Sequence, residues 1–266
     1  MFEHALNGLL EINRPEILIL VTILAVILVA ISKSGFGGAL GSLGLPVMVF
    51  VFPPKLAIAI LLPLYLITDF FVAYTWRKFP VIKILKVMVL GGLSGQVLGW
   101  LCFGYLDDKY ILILIGFLAL ITSIRYFKNL IWKNVVVDKT KTILKSSFLR
   151  AMGWCGFSGF SSFVALTGGI PAQIYLLPMN LERQLFVGTM SFYFLIINLA
   201  KLPFFFDLGV FSPTSILLSI VVLPILPIGI FIGKFLNKML SDQMFYHISH
   251  FALFCCGINL ISKQFL

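Results

Sequence analysis

Long apolar runs divided by short polar loops set the character of this chain. Crossing a hydrocarbon core takes about 20 apolar residues in a helix. The stretches near 16–34, 56–76, 81–105, 109–127, 148–166, 184–206, 213–236 and 241–262 all come close to that length. Two further apolar pieces, near 40–53 and 168–179, are shorter, and each follows directly on a glycine-rich segment. The pattern predicts an all-α polytopic membrane protein with discontinuous helices at two glycine-rich breaks. The first run, from Ile17 to Ile31, leads into Lys33 and a glycine cluster with no small-residue cleavage site. It therefore reads as a spanning helix rather than a cleaved signal peptide.

The pattern repeats. Gly35-Phe36-Gly37-Gly38 matches Gly156-Phe157-Ser158-Gly159, and Gly44-Leu45-Pro46 matches Gly169-Ile170-Pro171. At one common offset, Gly95 and Gly99 match Gly229 and Gly233, and Leu106-Asp107-Asp108 matches Leu240-Ser241-Asp242. The longest hydrophilic segment lies between the copies. The expected organisation is a first transmembrane repeat over 1–127, a basic cytoplasmic linker over 128–147 and a second transmembrane repeat over 148–266.

Composition narrows the class. Apolar residues make up 60% of the chain and charged ones 11%, which a soluble protein of this length could not bury. Lysine and arginine total 20 against 10 acidic residues, but they gather in short loops, so membrane orientation explains them better than nucleic acid does. Arg77, Lys78, Lys83 and Lys86 share one loop, and Arg125, Lys128, Lys133, Lys139, Lys141, Lys145 and Arg150 lie in or beside the linker. Both loops are expected in the cytoplasm. If the two short pieces do not cross, each repeat has four spans and the copies are parallel. If they do cross, each has five and the copies are inverted. Charge reverses between equivalent loops: the basic loop 77–86 corresponds to the nearly uncharged 205–213, and the acidic turn 107–109 to one flanked by Lys234 and Lys238. That reversal favours inverted repeats of five, with both termini outside.

The candidate chemistry sits at the breaks. Glycine and proline serve close helix packing in membranes. At repeat-equivalent positions they also mark helices unwound near the midplane, whose free backbone N–H groups and favourable dipoles suit an anion. The hydroxyls of Ser42, Ser158, Ser161, Ser162 and Thr167 stand among them. Asp69 lies deep in a span, where a carboxylate costs about 2.5–3.5 kcal/mol on insertion scales. It is a candidate to couple a proton, or else a wetted residue near Arg77. Its repeat counterpart falls near Asn198, one turn from Lys201, which could attract an anion or snorkel to the surface. His247 and His250 are three apart, too few for a metal site, and read as interfacial polar packing. Cys102, Cys155, Cys255 and Cys256 form no CxxC pair and read as small apolar residues. Trp76, Trp100, Trp132 and Trp154 fall near span ends, as interfacial anchors do. No GxxxxGK[ST] loop, HExxH motif or Ser-His-Asp set is present, so neither an ATP-driven mechanism nor an enzyme is expected.

The motifs GFGG-x5-GLP and GFSG…TGGIP, with the later G-x3-G pairs, resemble those of the TauE/SafE sulfite-exporter family from about Ile17 to Leu260. This chain departs from the family at Ala39, at Ala59-Ile60 and at Ser158, where glycines or a Gly-Thr pair are expected. The resemblance implies a small secondary carrier for sulfite, sulfonates or related organic anions. The expectation is therefore an inner-membrane carrier exporting a small anion held by Gly37, Gly38, Ser42, Gly159, Ser161, Ser162, Thr167, Gly168, Gly169, Asn198 and Lys201. Its partners are the anion and the lipid bilayer, no cofactor or metal is needed, and the apolar faces leave room for a homodimer. The alternative is a membrane scaffold or assembly factor that transports nothing.

Overall fold

The computed structural model describes residues 15–36, 44–132, 147–176, 179, 181–239 and 242–265. Among these residues the regular structure is entirely helical. Before the linker come α1 (Pro15–Phe36), the five-residue α2 (Gly44–Met48), α3 (Pro54–Thr75), α4 (Ile82–Phe103) and α5 (Asp108–Trp132). After it come α6 (Phe148–Ala165), α7 (Gly169–Leu176), α8 (Arg183–Asp207), α9 (Pro213–Val222), α10 (Leu226–Met239) and α11 (Asp242–Phe265). Six helical stretches are long and apolar enough to cross a bilayer, from Glu16–Ser34 through Pro213–Gly233. The chain is a membrane protein. Of the eight stretches expected, 241–262 forms α11 and 148–166 forms α6; α6 falls outside this set because serine, glycine and Arg150 dilute it.

The stretch 213–236 is not one straight helix. A 3₁₀ turn at Leu223–Ile225 divides α9 from α10. Pro224 and Pro227 lack the N–H groups that would continue the α-helical ladder there. α9 itself starts sharply: Pro213 takes the first position, and Ser212 and Ser215 cap each other reciprocally.

The second glycine-rich segment differs from its expected form. Residues 156–165 remain helical, and the break is confined to Leu166, Thr167 and Gly168. Leu166 takes the left-handed conformation at φ 52°, and its N–H caps the Ser161 and Ser162 carbonyls. From there α7 runs back along α6. Ser158 Oγ donates to the Gly168 carbonyl at 2.6 Å, and the Arg150 guanidinium stands 3.5 Å from the Tyr175 carbonyl oxygen. At the start of α2, Gly44 lies against Val29 in the middle of α1.

The glycines of GFSG are used for packing. α6 lies along α4, and a Cβ added at Gly95 would overlap the Gly156 carbonyl, as one at Gly159 would overlap the Gly92 carbonyl. Much of the remaining packing also joins elements from the two sides of the linker. α10 lies along α1, with Gly229 and Gly233 set against Ala30 and Ser34. α5 pairs with α11, and α3 crosses α8. One buried cluster gathers Val29, Leu45, Leu61, Phe163 and Leu217, and a second gathers Met88, Tyr175, Tyr193 and Ile197. Large apolar side chains such as Leu20, Phe70, Leu149 and Phe231 cover the outside, as lipid requires.

Candidate functional site

Where α3 crosses α8, the apolar interior is interrupted by ionisable side chains. Asp69 is on α3, one turn after Tyr65. Asn198 and Lys201 are three residues apart on α8 and so share a face. Lys33 approaches from the end of α1, and Ser162 from the last turns of α6. Asp69, Asn198 and Lys201 are buried to 2%, 1% and 0% exposure, and Lys33 to 5%.

These groups form one hydrogen-bonded chain. Lys33 Nζ donates to Asp69 Oδ1 at 2.6 Å, and Asn198 Nδ2 to Asp69 Oδ2 at 2.5 Å. Lys201 Nζ donates to Asn198 Oδ1 and to Ser162 Oγ, both at 2.8 Å. The Lys33 ammonium also lies 4.2 Å from the centre of the Tyr65 ring, a cation–π contact. Two lysines face one aspartate, so the cluster holds one basic group more than it holds acidic groups. In a water-poor interior such an excess is costly unless a counter-charge arrives.

A small cavity adjoins the chain. Lys33, Ser162, Gly169, Phe194 and Asn198 are among its walls, together with Tyr65 and Leu166. Its volume is about 10 Å³, roughly the space of one water. The second break therefore supplies three walls: Ser162 from the last turns of α6, Leu166 from the turn itself and Gly169 from the start of α7.

The expected site residues fall into three groups. Gly37, Gly38 and Ser42 lie outside the described residues. Ser162, Gly169, Asn198, Lys201 and Asp69 come together at the crossing. Others make local contacts: Gly159 faces α4, Gly168 is pressed against Ser158 and Ser162, Ser161 Oγ donates to the Phe157 carbonyl at 2.8 Å, and Thr167 Oγ1 donates to the Ser161 carbonyl at 3.3 Å. Lys201 does not snorkel, and Asp69 is not a wetted neighbour of Arg77, which donates to the Tyr74 carbonyl instead. The expectation missed Lys33, Tyr65 and Phe194. An ionisable residue inside a span is a functional candidate by default, and Lys33 carried that signal behind the uncharged run over residues 17–32. On α11, His247 Nδ1 lies 2.7 Å from Tyr126 Oη and His250 stacks on the Tyr126 ring, so both histidines pack against α5.

Comparison with known proteins gives one match. The family model described as Sulfite exporter TauE/SafE matches residues 22–260, nearly the whole chain and every element of the crossing. The chain matches no curated protein and no solved structure.

Proposed function

The chain belongs to the TauE/SafE sulfite-exporter family, and from that premise we propose that it is a secondary carrier moving a small sulfur-containing oxyanion or carboxylate outward across an inner membrane. The observation that carries the reading is the excess basic group at the α3–α8 crossing, beside a cavity walled by the second helix break. Lys201 is held there by two neutral partners, Ser162 and Asn198. An anion reaching the cavity would meet the Ser162 hydroxyl, the Asn198 amide, the N-terminal turn of α7 at Gly169 and the field of both lysines.

The direction follows from the membrane potential. An inside-negative potential favours the exit of each negative charge by about 2.3 kcal/mol per 100 mV. A monoanion therefore leaves without any coupled ion. Such a carrier is not an enzyme, in keeping with a family of exporters.

Reciprocal packing supports the two-repeat reading. The first half's α4 lies along the second half's α6, and the second half's α10 lies along the first half's α1. Asp69 hydrogen-bonds to Asn198, near which its counterpart in the sequence match falls, as residues close to a twofold axis would. The fold-back of α7 along α6 returns the chain towards the side it came from, which favours five passes per repeat, inverted copies and both termini outside. Rocking of one repeat against the other about the crossing would alternate access.

The test is efflux from sealed proteoliposomes preloaded with sulfite, sulfoacetate, taurine or acetate under an imposed potential. Efflux of at least one anion, lost in Lys201→Met, is expected. If correctly folded protein moves none of them, the carrier reading fails and the scaffold reading takes its place. For topology, single cysteines placed at positions 1 and 266 should react with an impermeant thiol reagent from outside; reaction from the cytoplasm alone would exclude the inverted arrangement.

A further inference from the structure

The carboxylate of Asp69 stands where a transported anion would have to stand. Lys33 is the lysine that borders the cavity; Lys201 is not a wall but bonds to two residues that are, Ser162 and Asn198. Both oxygens of Asp69 are taken, one by the Lys33 ammonium at 2.6 Å and the other by the Asn198 amide at 2.5 Å. A sulfonate or sulfite presents the same chemistry to the same donors: two or more oxygens sharing negative charge.

Space argues the same way. The cavity offers about 10 Å³, room for roughly one water, so a sulfonate group cannot settle beside the Lys33–Asp69 pair. It can settle if the carboxylate moves aside. The Tyr65 ring, 4.2 Å from the Lys33 ammonium, steadies that ammonium while its partner changes.

We propose that Lys33 is the cation that binds the transported anion and that Asp69 is its tethered stand-in, pairing with Lys33 when the carrier is unloaded and yielding to the substrate. The proposal deepens the carrier reading and rests on it. It gives the buried carboxylate a task. An unpaired ammonium in a water-poor interior opposes movement of the element that carries it, so a carrier that has released its anion needs a substitute counter-charge to return empty. Asp69 is placed to supply it. The charged groups that act on Asp69 are Lys33 and Lys201, with the Asn198 amide beside them. Of the other elements packed on α3, α2 and α9 carry no ionisable side chain, and no charge described on α5 or α10 acts on the carboxylate.

The experiment separates two modes of transport in proteoliposomes at zero potential, with labelled ethanesulfonate, a fixed monoanion, as the probe. Net efflux into anion-free buffer requires the empty carrier to return. Exchange against external unlabelled ethanesulfonate does not. In Asp69→Asn, net efflux is expected to fall at least about tenfold relative to exchange, through the higher barrier to the empty return. Net efflux and exchange falling together, or neither falling, would overturn the proposal.

The double variant Lys33→Met/Asp69→Asn removes the cation and its stand-in at once, and it decides the matter even if the single variant does not fold. Its ratio of net efflux to exchange should be that of the wild type, while its apparent affinity for ethanesulfonate should drop by about tenfold or more, as loss of a buried charge-assisted contact implies. Unchanged affinity would show that Lys33 is not the anion's partner. If the wild type performs neither mode with any anion of the panel, it is the carrier reading that fails; transport by the wild type with the wrong split in the variants removes the stand-in alone.

Discussion

Two of the contacts that join the halves of this protein solve opposite problems. Along α4 and α6 the backbones touch: Gly92 and Gly95 meet Gly159 and Gly156, and no side chain intervenes. Where α3 crosses α8 the helices are held by side chains alone, through Asp69, Asn198 and Lys201, with Lys33 and Ser162 reaching in. The first contact gains dispersion and close approach, which is how helices associate in a solvent as apolar as they are. The second accepts the cost of buried charge and in return gathers the ionisable groups of three helices. A seam without ionisable side chains has little with which to recognise a charged solute. A crossing with ionic ones is a poor way to gain stability. The glycines thus serve the scaffold and the charged residues the chemistry.

The largest effect should come from breaking the seam. Gly95→Leu places four carbons where the Gly156 carbonyl already stands, and overpacking of this kind exceeds about 3 kcal/mol where backbone cannot move. No monodisperse protein is expected on size exclusion in detergent; a well-folded variant would show that α4 and α6 can part without loss. Next, Lys201→Met leaves the Ser162 hydroxyl and the Asn198 carbonyl oxygen without their donor, a cost of about 1–3 kcal/mol that a folded protein should withstand. Anion flux should fall by more than about tenfold, the equivalent of roughly 1.4 kcal/mol. Loss of flux with loss of fold would erase the division of labour between seam and crossing.

A smaller effect sharpens the border between them. Ser158 sits on α6 among the seam glycines, yet its hydroxyl donates to the Gly168 carbonyl at 2.6 Å and accepts from Tyr193 Oη at 3.0 Å. Ser158→Ala should cost about 1–2 kcal/mol, seen as a lower midpoint in thermal denaturation, with flux reduced in proportion to folded protein. A larger drop in flux would move Ser158 to the chemical side. Smallest of all, Gly153→Ala meets nothing within 4 Å and should change stability by no more than about 1 kcal/mol, in the favourable direction. A marked loss there would mean that the glycines of α6 matter for a reason other than contact with α4.

Much of the helical architecture was legible because lipid imposes a length and a composition on every crossing element. The runs beginning at Ile17, Leu56, Val81 and Gln184 became α1, α3, α4 and α8 with ends close to those expected. What the pattern could not separate was glycine used to unwind a helix from glycine used to bring two helices together. GFSG was read as part of a break, and it lies within a continuous helix; the interruption came later, at a leucine in a left-handed turn, which no residue preference announces. At the site, Asp69, Asn198 and Lys201 stood out as polar residues in apolar runs. Their partner Lys33 is 36 positions from Asp69 and abuts a glycine cluster, so it read as the flank of a span. Pairings of that kind belong to tertiary packing and leave no local trace.

Asn198 has one further consequence. Its carboxamide has an oxygen on one side and a nitrogen on the other, and at the crossing the oxygen receives a lysine while the nitrogen serves a carboxylate. Rotating the amide by half a turn would set oxygen against carboxylate and nitrogen against ammonium, repelling both neighbours. The amide therefore has a single admissible pose, and that pose holds only while α3 and α8 keep their present register. A slip of one helix past the other by a single turn would pull the amide from Asp69 while Lys201, on the same helix, travelled with it, so this one neutral side chain works as a latch between α3 and α8.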